Sequence, residues 1–295
     1  MPNAPITAII VTFNSQDVLA GCLCALRAEP EVARIIVVDN CSTDDTCELV
    51  QGKFPDVELV ENPRNLGFGW ANNIGLEKVT TPYALLINPD AVLQQGALHA
   101  LLKAASRYHD AAILAPQLAD GNGHIHKSYK RSVFAREAWR DNYCEPGGDL
   151  CAEFLSGAVW LLNIKHMRSV GFFDTQLFLY YEDDDMCLRA RRAGFGLVLV
   201  QSARAIHDMG NSSGELTTAQ IFFRQEQMAW SRLYIEQKYH GDKAARKLAG
   251  RQQWEYSFKA SLYLFLLNFK KVARYRARIK GIFEFTEGLK GHTPT

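Results

Sequence analysis

Between Ile6 and Gln117 the chain alternates two kinds of hydrophobic pattern. One is a short continuous apolar run rich in β-branched residues. Ile6-Thr7-Ala8-Ile9-Ile10-Val11-Thr12 is an example, and it predicts a strand buried on both faces. The other is helical spacing. Val18, Leu19, Cys22, Leu23 and Leu26 gather on one face of a helix over 16–28. Strands are expected at 6–12, 34–39, 57–61, 83–88 and 111–117. Helices are expected at 16–28, 44–54, 69–79 and 94–108, with Ser42 as cap of the second. Strands alternating with helices of this length imply βαβ crossovers and a mostly parallel sheet, an α/β fold. Ligands of such sheets bind beyond the carboxyl ends of the strands. That rule selects Thr12-Phe13-Asn14, Asp39-Asn40 and Asn88-Pro89-Asp90, each a polar cluster directly after a buried strand.

The pattern then changes. Residues 118–150 read as loop, with five glycines and prolines and the basic cluster His124, His126, Lys127, Lys130 and Arg131. Residues 153–163 read as one strand. Gly171-Phe172-Phe173-Asp174 opens an aromatic stretch that ends at Tyr181. Glu182-Asp183-Asp184-Asp185 begins a helix that Gly194 closes, with Arg189, Arg191 and Arg192 in its last turn, where cations suit the dipole. Residues 197–200 give a further strand, and from Leu216 onward the chain reads as helices. Two parts are therefore expected, 1–215 and a helical extension at 216–295.

Composition changes this picture in two places. Net charge is +1, which says nothing about partners, and no nucleic-acid partner is expected. The charge is unevenly spread, however: residues 1–100 hold 5 Lys and Arg against 12 Asp and Glu, and residues 201–295 hold 16 against 8. The seven cysteines show no CxxC pair and sit in apolar segments, which suggests buried reduced thiols and a cytoplasmic chain. The first residues, Met-Pro-Asn-Ala-Pro, lack the basic region of a signal peptide, and no apolar run reaches the ~20 residues that span a bilayer.

Several residues are placed for chemistry. Asp90 ends a buried strand, where a carboxylate can hold a divalent cation that bridges a diphosphate; ordinary turn chemistry is the plainer alternative. Asp183, Met186, Cys187 and Ala190 share a helix face, so Asp183 is expected to point inward while its neighbours face water. An inward carboxylate beside a cleft is a candidate general base, and a helix-capping carboxylate is the alternative. His207 can supply a neutral ring nitrogen to a metal, although a lone histidine is more often structural. Asn14, Asn65, Asn72 and Asn73 can bond base, ribose or sugar hydroxyls, or else serve as turn residues. No GxGxxG follows the first strand, and no P-loop is present.

These pieces also occur in one order. Val37-Val38-Asp39-Asn40-Cys41-Ser42-Thr43-Asp44 comes first, then Asn62-Pro63-Arg64-Asn65-Leu66-Gly67-Phe68 and Leu86-Ile87-Asn88-Pro89-Asp90-Ala91. Phe154-Leu155-Ser156-Gly157-Ala158, Gly171-Phe172-Phe173-Asp174 and Tyr180-Tyr181-Glu182-Asp183-Asp184-Asp185 follow, and His207 with Gly210 and Ser212 closes the series. Over roughly residues 5–215 this order resembles the family 2 glycosyltransferases of GT-A fold. Within them it is most similar to bacterial rhamnosyltransferases that act on lipid-linked saccharides. The resemblance implies a single Rossmann-like domain and inverting transfer from a nucleoside-diphosphate sugar, dTDP-L-rhamnose by analogy, with Mg²⁺ or Mn²⁺. The acceptor would be a saccharide or lipid-linked saccharide. It implies nucleotide contacts at Thr12, Asn14 and Asp39, and the donor site as read here also takes in Arg64, Asn65 and Asn88. It implies metal binding at Asp90 and the base at Asp183. The strict DxD pattern is broken by Asn88, which makes His207 a candidate second ligand. A UDP-hexose donor, an inactive sugar-binding module and a nucleotidyltransferase are the competing readings. The last lacks its Gly-rich basic loop at Val11-Thr12-Phe13-Asn14-Ser15.

The tail adds one expectation. Seven Lys and Arg and no acid lie between Glu255 and Glu284, around the apolar run 262–267. Such a segment suits the anionic inner face of the plasma membrane through 255–290, or a homo-oligomer interface.

Overall fold

The computed structural model describes residues 5–134, 146–207 and 217–288. The described residues of Met1–Leu66, Trp70–Phe173 and Asp183–Gly214 form one compact unit. Those of Gly67–Gly69, Asp174–Glu182 and Glu215–Thr295 form a second.

The chain opens with β1 (Ile6–Thr12), α1 (Gln16–Arg27), β2 (Val32–Asp39), α2 (Thr46–Lys53), β3 (Glu58–Glu61) and α3 (Phe68–Glu77). It continues through β4 (Tyr83–Ile87), a short β5 (Ala91–Leu93), α4 (Ala97–Arg107) and β6 (Ala111–Ala119). β3, β2, β1 and β4 lie side by side and parallel. Every residue of β1 and of β6 is buried, which explains their unbroken apolar runs. Leu19, Leu23 and Leu26 of α1 and Leu98, Leu101 and Leu102 of α4 pack in one cluster with Ile10, Val37, Leu85 and Leu114. Ile36 and Val38 cluster with Ala71 of α3. That helix comes so close to β1 that a Cβ on Gly75 would stand 2.6 Å from the Ile9 side chain, so only glycine fits there.

β7 (Tyr129–Lys130), β8 (Leu150–Cys151), β9 (Phe154–Leu155), β10 (Val159–Asn163), α5 (Ile164–Val170), α6 (Glu182–Arg192) and β11 (Gly196–His207) follow. β10 runs antiparallel between β4 and β6. β11 runs parallel to β6, and β5 and β8 pair antiparallel with it. The result is a mostly parallel sheet, flanked by helices as the alternating pattern implied. The stretch expected as loop at 118–150 takes in the end of β6 and holds the short strands β7 and β8, and two expected strands also have other bounds. The single strand expected at 153–163 is two strands, because Ser156, Gly157 and Ala158 carry the chain from a pairing with β7 to a place in the main sheet. The strand expected at 197–200 runs on to His207 past a register shift between Val200 and Arg204, where polar side chains interrupt the apolar run.

In the second unit α7 (Thr218–His240), α8 (Asp242–Phe265) and α9 (Phe269–Thr286) pack through Ala229, Leu233, Leu248, Ala249 and Ile282. Thr217 and Gln220 form a capping box that starts α7. Helices α7 and α9 cross closely at Gly281, where a Cβ would meet the Glu226 carbonyl oxygen at 2.2 Å. No helix among the described residues is long and apolar enough to cross a membrane. The cysteines correct an expectation: Cys22 and Cys187 are buried, but Cys24 and Cys151 are exposed, and Cys144 lies outside the described residues.

Candidate active site

The candidate residues fall into three groups. The first lies at the ends of β1 and β2. The register pairs Thr12 with Asp39, so the Thr12 hydroxyl donates to Asp39 Oδ1 at 2.9 Å. Ser42 closes the carboxylate from the other side, its N–H on Oδ2 at 2.8 Å and its hydroxyl on Oδ1 at 2.5 Å. Ser42 is thus spent on Asp39 and does not cap α2, whose N-cap is Asp45. The Cys47 thiol also reaches this carboxylate, and burial, then the Asp39 charge, push that thiol up to about 12. Asn14 and Cys41 both take left-handed backbone, φ 53 and 69, which turns the two loops toward each other. The Asn14 N–H donates to Ser42 Oγ, and Asn14 Oδ1 accepts from the Thr43 N–H, both at 2.8 Å.

Asn40, placed by the sequence in the strand-end cluster without a role of its own, ties this group to the next loop. Its amide donates to Asn65 Oδ1 at 2.8 Å, and its oxygen accepts from Asn62 Nδ2 at 3.2 Å and Leu66 N–H at 2.9 Å. Asn65 therefore faces the cluster, and Arg64 beside it is exposed. Asn73 does not join them. Its side chain donates to the Phe173 carbonyl and accepts from the Phe173 N–H, at 2.8 and 2.9 Å, which spends it on the fold. Asn72 is nearly buried.

The second group lies beyond β4. Here β5 pairs antiparallel with the end of β11 and sets Ala91 opposite His207. This brings Asp90 and His207, distant in sequence, together: His207 Nε2 stands 3.3 Å from Asp90 Oδ1 and 3.5 Å from Asn88 Nδ2. Both residues are over nine-tenths buried, yet neither Asp90 oxygen accepts a hydrogen bond, and His207 Nδ1 has no partner. Buried polar atoms of this kind are costly unless something satisfies them. A divalent cation held between Asp90 and His207 Nε2 would satisfy the carboxylate. Neighbouring ligands at 2.0–2.1 Å in an octahedral shell stand about 3 Å apart, close to the separation found, and hard cations beside phosphate need few protein ligands. Among the described residues no group of three or more His, Cys, Asp or Glu surrounds such a point. Beneath the turn, Cys22 Sγ donates to the Asn88 carbonyl at 3.7 Å. Burial and then the Asp90 charge push that thiol up, so it stays protonated. Asp208, Gly210 and Ser212, which follow His207, lie outside the described residues.

The third group is the start of α6, entered through Tyr180 and Tyr181, both left-handed at φ 68 and 67. Here the sequence expectation needs correction. Glu182, Asp184 and Asp185 are buried, and Asp183 is the least buried of the four. The neighbours do not face water because each of two has a cation. Asp184 takes both its oxygens to Lys130 Nζ at 3.0 Å. Asp185 binds Arg189 Nε at 2.8 Å, one turn along the helix. The same guanidinium donates to the carbonyls of Val170, Gly171 and Phe172, so Arg189 ties α6 to the preceding loop as well as suiting the dipole. Lys130 reaches the site because β7 pairs with β9, and its ammonium sits 3.9 Å over the Phe154 ring. Sequence reading left it in a loop-borne basic cluster; only its pairing with β9 distinguishes it from its neighbours. Asp183 is thereby left for chemistry. Desolvation raises its pKa, and the Lys130 charge with the N–H groups of Asp184, Gly157 and Asp183 itself pulls part of that back. A Cβ on Gly157 would come within 3.3 Å of the Asp183 Cβ, so glycine keeps this wall open.

A mostly parallel sheet with acidic groups clustered beyond its strand ends is the architecture of the GT-A glycosyltransferases. Solved structures of that class share the fold. A mannosyltransferase from Pyrobaculum calidifontis, in complex with GDP-Man and Mn²⁺, matches with a TM-score of 0.56 at 13% identity, covering 96% of this chain and 87% of that one. GalNAc-T7 with UDP, GalNAc and Mn²⁺ matches with a TM-score of 0.57 at 15% identity over 69% of this chain, which spans 43% of that longer one. The model of Glycosyl transferase family 2 matches residues 7–151. An N-acetylglucosaminyl-diphospho-decaprenol L-rhamnosyltransferase of Mycobacterium tuberculosis is 28% identical over 70% of this chain and 76% of its own length. These matches support a family 2 glycosyltransferase, most like rhamnosyltransferases.

Proposed function

We propose that the protein is an inverting glycosyltransferase. It moves a sugar, L-rhamnose from dTDP-L-rhamnose, to a hydroxyl of a saccharide or lipid-linked saccharide, in the cytoplasm. The observation that carries the reading is the buried Asp90 carboxylate with two unsatisfied oxygens, set beside His207 at the carboxyl end of the sheet. Residues 1–215 carry the reaction in this reading, and 216–295 are an appendage.

Asp39, already oriented by Thr12 and Ser42, is set to accept an N–H of the nucleotide base. Asn14, Arg64, Asn65 and Asn88 line the route for ribose and phosphates. Asp90 and His207 would hold Mg²⁺ or Mn²⁺, and that ion when bound would offset the charge that grows on the departing diphosphate. Asp183 takes the proton of the acceptor hydroxyl as its oxygen attacks the anomeric carbon opposite the leaving group. Burial raises the affinity of Asp183 for that proton, which suits a base, while Lys130 and the backbone N–H groups keep it ionised enough to act. The rhamnosyl choice is supported by the mycobacterial relative, whose name states that activity.

A thermal-shift series with Mn²⁺ tests donor and metal together. dTDP-L-rhamnose at 100 times its dissociation constant should add about 2.7 kcal/mol, and chelation should remove the gain. Stabilisation by a UDP-hexose but not by dTDP-L-rhamnose would overturn the donor assignment.

A further inference from the structure

The second unit presents an apolar surface that its own packing leaves uncovered. From Ser261 to Lys271 every side chain is exposed except that of Tyr263. Phe265 is 85% exposed, Leu267 73% and Phe269 65%, and Trp254 and Phe258 extend the stripe along α8 at helical spacing. Trp254 and Phe258 stack on each other at 5.9 Å and are both exposed. Leu267 also holds left-handed backbone, φ 53, where glycine or asparagine would be easier. The tip between α8 and α9 thus keeps a strained, exposed leucine. A large exposed apolar patch of this kind marks an interaction surface.

The charge around the patch selects the partner. Between Glu255 and Glu284 stand Lys259, Lys270, Lys271, Arg274, Arg276, Arg278 and Lys280, and no acid. Lys270, Arg274 and Arg276 are exposed beside the tip. Lys271 lies 4.4 Å over the Tyr263 ring, an aromatic and a cation side by side at the edge of the apolar zone. A second copy of the same face would bring like charges together. An anionic lipid surface supplies both an apolar layer for the tip and phosphates for the ring of cations. We infer that the tip of the α8–α9 hairpin, from Trp254 to Phe269, docks shallowly into the interface of an anionic bilayer. The surface places the protein on a membrane without spanning it. This inference rests on the second unit alone and is independent of the donor and base assignments.

The test is co-sedimentation of the full chain with vesicles of phosphatidylglycerol and phosphatidylcholine, against vesicles of phosphatidylcholine alone. Binding should be strong to the anionic vesicles at low salt and fall steeply at high salt. The triple variant Lys270→Gln, Arg274→Gln, Arg276→Gln should weaken it roughly a hundredfold, at about tenfold or less per charge. The variant Phe265→Ser, Leu266→Ser, Leu267→Ser should weaken it at least roughly tenfold with a melting temperature that changes little, since these side chains are mostly exposed. Failure of the full chain to sediment with anionic vesicles at low salt overturns the proposal. So does a concentration-dependent dimer that the serine variant dissociates, which would make the face an interface between copies. Donor-binding measurements on the same variants keep the two readings separate, because the tip can fail while donor binding stands.

Discussion

Asp39 ends β2 and Asp90 follows β4, the strands on either side of β1, and both are at least nine-tenths buried. Their surroundings differ. Asp39 accepts three hydrogen bonds from Thr12 and Ser42. Asp90 accepts none on either oxygen. The same division recurs at the start of α6, where Asp184 and Asp185 are tied to Lys130 and Arg189 while Asp183 carries the raised pKa. A satisfied buried carboxylate holds the fold in shape and presents a finished surface. An unsatisfied or strongly desolvated one stores free energy that only a ligand or a proton can release. The comparison therefore separates residues that build the site from residues that work in it.

The sharpest way to break this division is Asp183→Asn. Transfer should fall by about 10³ or more, within the range general bases contribute, while donor affinity stays within roughly threefold. The same variant should melt higher at neutral pH. A carboxyl whose folded pKa is raised binds more protons folded than unfolded, so stability falls as pH climbs from its unfolded value through the folded one, and the neutral amide escapes that loss. Near-normal turnover, or a lower melting temperature, would remove Asp183 from its role.

Asp90→Asn should cost roughly a hundredfold in metal-dependent donor binding, because a charged ligand is lost. In the absence of metal its melting temperature should not drop, since no hydrogen bond is broken. His207→Ala should raise the metal concentration needed for half-maximal activity, and an unchanged titration would return His207 to a structural part. Asp39→Asn is the converse experiment. An amide cannot accept all three bonds, and the stranded Ser42 and Thr12 donors should lower stability by about 1–3 kcal/mol, read by denaturant melts with or without metal. If Asp39→Asn proves neutral and metal-free Asp90→Asn destabilising, the division is reversed and fails.

The smallest effect concerns Lys130. Its charge holds the Asp183 pKa down, so Lys130→Gln should move the acidic limb of the kcat/KM profile to higher pH. A merely structural lysine would change the height of that profile and leave its midpoint in place.

Much of this molecule follows from its sequence alone. The continuous apolar runs of β1, β2, β4 and β6 could be read because strands covered on both faces bury all of β1 and β6 and most of β2 and β4, so the pattern is local and strong. The polar clusters at Thr12, Asp39 and Asp90 follow from the same runs, since a ligand site in such a sheet has to lie where they stop. Tertiary structure decided what local pattern does not carry. The antiparallel insertion of β10 depends on which strands accept its edges, and β10 reads like any buried strand. Asp90 meets His207 only because β5 turns back against the end of β11. Lys130 was one basic residue among several until β7 paired with β9 and carried it to Asp184. The burial of Asp184 and Asp185 was misread for the same reason: periodicity tells which face a residue lies on, but long-range cations decide whether a carboxylate on it can leave water.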